Sequence, residues 1–159
     1  MMPLKILALS AISDRIGLAV LHGEKLKDWH ASERAAINSV EAAAFVQEAI
    51  NYYRPNVVVT EKLGPHNRKG KRTQRMIAAM QMVAEQNYVL EVQTDHRHPF
   101  ATKYEEAQLL AKTYPPIGPW LPAKRRYFDH QPRAMVMFEA LSLAHSVARG
   151  SAEQLAAAM

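Results

Sequence analysis

The chain contains no cysteine, which removes disulfide frameworks, thiol nucleophiles and cysteine-ligated zinc from consideration. No stretch approaches the roughly 18 consecutive apolar residues of a membrane span, and the start lacks the charged and long apolar regions of a signal peptide. A cytoplasmic protein that does not enter a membrane is therefore expected. There is no G-x-G-x-x-G, so a dinucleotide-binding turn is excluded, and no internal repeat. The segment GPHNRKGKR invites comparison with a phosphate-binding P-loop. Gly64 and Gly70 are separated by five intervening residues instead of four, however, and Arg72 occupies the place of the magnesium-binding hydroxyl.

What is present is one domain's worth of ordinary globular chain: 159 residues, 48% of them apolar. Its charge is uneven. Residues 1–60 hold six Lys/Arg and six Asp/Glu, whereas residues 61–159 hold 14 and nine, so the net excess of five lies entirely in the second part. The densest patch, His66 to Arg75, carries Arg68, Lys69, Lys71, Arg72 and Arg75. Such a cluster suits a polyanion or is simply a solvated loop.

Hydrophobic patterning gives the element order. LKILALS (Leu4–Ser10), RIGLAVLH (Arg15–His22) and EKLKDWH (Glu24–His30) read as strands, and the short turn at Gly23 and Glu24 makes the last two antiparallel. Ser32 is a plausible N-cap for an Ala-rich helix with Ile37, Val40, Ala44, Ile50 and Tyr53 on one face, stopped by Pro55. NVVVTEKL (56–63) reads as a strand covered on both sides. Thr73–Asn87 reads as a helix with Met76, Ile77, Met80, Val83 and Ala84 on its stripe, Tyr88–Gln93 as a fifth strand, and Lys103–Thr113 as a third helix. A long Pro-rich connection, Tyr114 to Gln131, carries Lys124, Arg125 and Arg126, and such loops tend to be functional. Pro132 opens a last helix that Gly150 should cap near Arg149, leaving 151–159 as a tail beyond a single domain at 1–150.

This order implies an α/β fold: a mixed five-stranded sheet, three strands antiparallel and two parallel, with helices on both faces. Chemistry in open sheets gathers at the carboxyl ends of parallel strands, here Ser10, Glu61 and Gln93–Asp95. Asp95, His96 and His98 form either a small metal-capable cluster or a polar loop. Glu61 ends a Val-rich strand and is either a salt-bridge partner of the basic loop or a metal ligand. Glu139 lies in the apolar helix RAMVMFEALSLAHSV and faces either solvent or the sheet; facing the sheet, it can meet Glu61. Two acids and a basic loop above a sheet end are the layout of metal-assisted phosphodiester chemistry.

These residues resemble the RuvC-like Holliday-junction resolvase branch of the RNase H-like superfamily, along nearly the whole chain to about Arg149. ILALSAISDRIGLAVL is similar to that family's first hairpin, in which an acid ends strand one and a Gly follows seven residues later; here these are Ser10 and Gly17. VVVTEKL is similar to the strand whose Glu is a catalytic metal ligand, which implies that role for Glu61. ATKYEEAQLL is similar to the segment whose Lys opens a helix beside the site, which implies Lys103 as a phosphate-stabilising catalytic residue. FEALSLAHSV is similar to the terminal helix, which gives Glu139 the last acid.

Two departures bear on activity. The family's first Asp is Ser10 here, and the acid one turn before the last is Val136. A neutral hydroxyl is a weak ligand for a hard cation. Asp14 is the nearest acid that could complete a Mg²⁺ or Mn²⁺ site, with Asp129 a more distant spare. The resemblance thus implies a homodimeric binder of structured or branched DNA, with RNA as an alternative substrate. Its metal-dependent endonuclease activity is weakened or lost. A non-enzymatic nucleic-acid-binding or assembly protein on the same scaffold is the other reading.

Overall fold

In the computed structural model, described for residues 3–65, 67–94, 103–122 and 134–158, the first three strands form a meander: β1 (Lys5–Ile12), β2 (Arg15–His22) and β3 (Lys25–Ser32). The β2–β3 turn needs a left-handed residue, and Gly23 supplies it at φ 64°. The chain crosses over through α1 (Ser39–Tyr53) to β4 (Val57–Glu61), which pairs parallel to β1. It then passes through α2 (Lys71–Gln86) to β5 (Leu90–Thr94), parallel to β4. The sheet order is β3-β2-β1-β4-β5, the mixed five-stranded arrangement expected. α3 (Lys103–Thr113) and α4 (Met135–Ala158) complete the described elements.

Period-two alternation divides the sheet between two cores. Ile6 and Ala8 of β1 and Val57 and Val59 of β4 pack with Phe138, Leu141 and Ala144 of α4 and Leu110 of α3. Leu7, Leu9 and Ala11 of β1 and Val58 of β4 face the other way, onto Val46 and Ile50 of α1 and Met76, Ile77 and Met80 of α2. The three successive valines of β4 are buried because both faces are covered.

Several expectations are corrected. α1 begins at Ser39, capped by Asn38, whose side chain accepts from Glu41 N at 2.8 Å. Ser32 instead accepts from Ala35 N (3.1 Å) ahead of a single 3-10 turn, Arg34–Ala36. The later start changes the buried stripe to Ala42, Val46, Ala49 and Ile50; Ile37 and Val40 are exposed. Within the expected Pro-rich connection, Pro115–Trp120 forms a 3-10 helix, and Trp120 meets Trp29 of β3 edge-on with centroids 5.2 Å apart. Gly150 does not cap α4, which continues to Ala158; a helix interior tolerates glycine at about 1 kcal/mol.

α4 is tied to the end of α3 by Tyr114 Oη and His145 Nδ1, 2.7 Å apart. Burial holds the His145 pKa below its ordinary 6.5, aided by Arg149 and opposed by Glu106. The folded protein therefore binds fewer protons there than the unfolded chain does. This stabilisation is complete above pH 6.5 and is lost as pH falls through the depressed value. Urea unfolding at about pH 7.5 and about pH 5 should show a fall that is smaller in His145→Gln.

Candidate functional site

Strand parity brings the candidate residues to one place. Ser10 continues the Ile6–Ala8 face of β1, and Glu61 continues the Val57–Val59 face of β4, so both point toward α4. On α4, Glu139 faces the sheet and not solvent, with 3% of its surface exposed; Glu61 retains 5%. Two buried carboxylates of like charge need compensation, and the protein supplies it from its own loop. Lys69 Nζ lies 3.4 Å from Glu61 Oε1 and 3.6 Å from Glu139 Oε2, and donates to the Ala11 carbonyl at 2.6 Å. Lys103 Nζ donates to Glu139 Oε1 at 2.7 Å.

The loop after β4 is built to deliver Lys69. Asn67 Nδ2 donates to Glu61 Oε2 (2.7 Å), and Asn67 Oδ1 accepts from Lys69 N (2.9 Å). Gln74 of α2 donates to the Lys69 carbonyl at 2.7 Å. Gln81, one face over, donates to Thr60 Oγ1 (3.0 Å) and the Glu61 carbonyl (3.2 Å). The backbone on both sides of the Lys69 side chain is thus fixed.

Ser10 is committed elsewhere. Its hydroxyl donates to the Val136 carbonyl at 2.7 Å. Gly17 lies opposite Ser10 in the β1–β2 ladder, and a Cβ there would sit 2.3 Å from the same Val136 oxygen. The absence of a side chain at position 17 is what allows α4 to start against the hairpin.

No protein-family model matches this chain, and no curated protein is similar to it in sequence. Solved structures are similar in shape. Thermus thermophilus RuvC, in complex with a Holliday junction substrate, superposes with a TM-score of 0.64 at 16% identity, covering 92% of this chain and 95% of that one. Fowlpox virus resolvase bound to substrate Holliday junction DNA gives 0.61 at 11% identity, over 92% and 98%. The yeast mitochondrial Holliday junction resolvase gives 0.52 at 9% identity, over 93% and 79%. The fold is RuvC-like.

On this RuvC-like frame, the structure brings together Ser10, Glu61, Glu139 and Lys103 and adds Lys69. It does not bring in Asp14, whose side chain is 65% exposed and paired with Arg15 at 3.1 Å. Arg15 also pairs with Glu33. Among the described residues no three His, Asp or Glu side chains gather to hold a metal. A divalent ion was expected from Glu61, Glu139 and Asp14. The residues as arranged do not fit one, because an ammonium stands between the two carboxylates and the Ser10 hydroxyl is turned to a carbonyl.

The basic cluster divides in two. Lys69 points inward. Arg72 bridges backbone, donating to the Ser13 carbonyl and, at 2.8 Å each, to the Ala36 and Ile37 carbonyls. Arg68, Lys71 and Arg75 are exposed and make no hydrogen bond or ion pair among the described residues. Asp95, His96, His98 and the expected second basic cluster of Lys124, Arg125 and Arg126, with Asp129, lie outside the described residues.

The sequence points to Lys69 only as a phosphate contact and gives no signal for Asn67. The partners of Lys69, Glu61 and Glu139, are reached through an irregular loop and a helix 70 residues away, which no periodicity connects.

Proposed function

We propose that the protein binds branched DNA on the surface above the carboxyl ends of β1 and β4, through a RuvC-like site whose two carboxylates are neutralised by its own lysines. The observation that carries this reading is the set of exposed cations Arg68, Lys71 and Arg75, without a partner among the described residues, on the loop and helix that follow Glu61 and carry Lys69 to it. Lys71 and Arg72 stand in the first turn of α2, where like charge opposes the helix dipole. An approaching phosphate relieves that opposition. Lys103, about half exposed beside Glu139, is placed to meet a phosphate at the rim. The RuvC-like neighbours seen with Holliday junctions make a four-way junction the natural ligand to test. A homodimer would present two such surfaces to a two-fold branched substrate.

The test is the salt dependence of binding. Neutralising Arg68, Lys71 and Arg75 together should lower the log–log salt slope on duplex arms by about 2.7, about 0.9 per phosphate contact. Neutralising Arg72 should instead cost stability, since three carbonyls lose their donor. An unchanged slope in the triple variant would remove this surface from the account.

A Mg²⁺-dependent or Mn²⁺-dependent junction endonuclease is the second reading. It is favoured by the convergence of Glu61 and Glu139 on one point, and it requires Lys69 to leave. Cleavage of a four-way junction that Glu61→Gln abolishes would establish it.

A further inference from the structure

We infer that Lys69 is the resident cation of the sheet-end site and that it closes a latent divalent-cation site formed by Glu61, Glu139 and the Ala11 carbonyl. The inference is independent of DNA binding. Three oxygens from three elements surround Nζ: Ala11 O of β1 at 2.6 Å, Glu61 Oε1 of β4 at 3.4 Å and Glu139 Oε2 of α4 at 3.6 Å. An ammonium has three donors and no acceptor, so it suits these three acceptor oxygens.

The charge also balances among the described residues. There, two carboxylates, Glu61 and Glu139, face two ammoniums, Lys69 and Lys103. A divalent ion entering beside them would leave an excess of positive charge, and it would have to displace Lys69 to come within the 2.0–2.6 Å or so at which Mg²⁺ and Ca²⁺ bind oxygen.

Lys69 is held in place by the fold and is not a surface lysine that happens to lie nearby. Its side chain is 20% exposed. Its own N–H and carbonyl are held by Asn67 and Gln74, and Asn67 also holds the far oxygen of Glu61. The device that positions one carboxylate therefore also positions the lysine that neutralises it. Ser10 and Asp14 are turned away, to Val136 O and Arg15, which leaves the ammonium as the cation for which the site is arranged.

The experiment is a Mn²⁺ titration of the DNA-free protein, read by the loss of the free-ion electron paramagnetic resonance signal and by the shift in thermal unfolding. Wild type should show no saturable site and no Mn²⁺-dependent shift. Lys69→Ala should bind one Mn²⁺ at least about tenfold more tightly than wild type, with a raised unfolding temperature. Both gains should vanish in Lys69→Ala/Glu61→Gln, and Lys69→Arg, which keeps the charge, should stay silent. Should Lys69→Ala not fold, Lys69→Gln carries the same test. Saturable wild-type binding that Glu61→Gln abolishes would overturn the inference. So would a folded Lys69→Ala, or a folded Lys69→Gln, that gains no Mn²⁺ affinity. Failure of the DNA-binding proposal would appear separately, as unchanged salt slopes, and would leave this result intact.

Discussion

Lys69→Met should destabilise the protein by about 3 kcal/mol in denaturant unfolding without divalent ions. The change leaves Glu61 and Glu139 buried without their shared counter-charge and the Ala11 carbonyl without its donor. Removing one partner of a buried ion pair typically costs 3–5 kcal/mol. The lower end applies here because Lys69 is partly exposed and Lys103 still holds Glu139. The double variant Lys69→Met/Glu61→Gln should recover at least about 1 kcal/mol, because the carboxylate left uncompensated is then neutral. Additive losses in the two single variants would show that Lys69 and Glu61 are not coupled. The loop from Lys62 to Gly70 should also lose protection from hydrogen exchange in Lys69→Met, since the lysine is its anchor to the sheet end.

Gly17→Ala should cost about 3 kcal/mol or more, lowering the unfolding midpoint by about 6–12 °C for a chain of this size. The added carbon would meet the Val136 carbonyl oxygen at 2.3 Å, the Val136 carbonyl carbon at 2.6 Å and Ser10 Oγ at 2.9 Å. The first two are backbone atoms at the start of α4, and they cannot rotate away as a flexible side chain would. The helix must shift off the hairpin, and the Ser10–Val136 hydrogen bond goes with it. Because Glu139 rides on the same helix, the Lys69–Glu139 and Lys103–Glu139 contacts should loosen together. A midpoint within about 1 °C of wild type would contradict this packing, since roughly 2–4 °C accompanies each 1 kcal/mol.

The sheet was readable because its signals are local. The three-valine run of β4, the glycine turn before β3 and the apolar stripe of α2 each report a backbone state or a covered face without reference to the rest of the chain. Glu61 and Glu139 were readable as unusual because a carboxylate in an apolar segment needs a partner. α1 was misread because Ser32 and Asn38 are both competent caps, and only packing decides which one starts the long helix. Ser32 stands ahead of a single turn and Asn38 caps the helix, which rotated the buried stripe by several residues. The direction of Asp14 was not legible for a related reason: nearness in sequence to Ser10 says nothing about where a side chain points, and here Asp14 pairs with Arg15 beside it. The inward turn of Lys69 and the backbone bridging by Arg72 were illegible because a basic loop looks the same whether its ammonium and guanidinium groups meet phosphate, carboxylates or backbone carbonyls.

We propose above that this RuvC-like fold recognises branched DNA; the geometry of its sheet end further requires that it do so without a divalent ion. The direct measurement is fluorescence anisotropy of the protein against a labelled four-way junction and a duplex of the same arm length, in excess EDTA at fixed salt. Binding to the junction should be at least about tenfold tighter than to the duplex, about 1.4 kcal/mol, with no loss on metal removal. Equal affinity for junction and duplex, or junction binding that disappears in EDTA and returns with Mg²⁺, would contradict it.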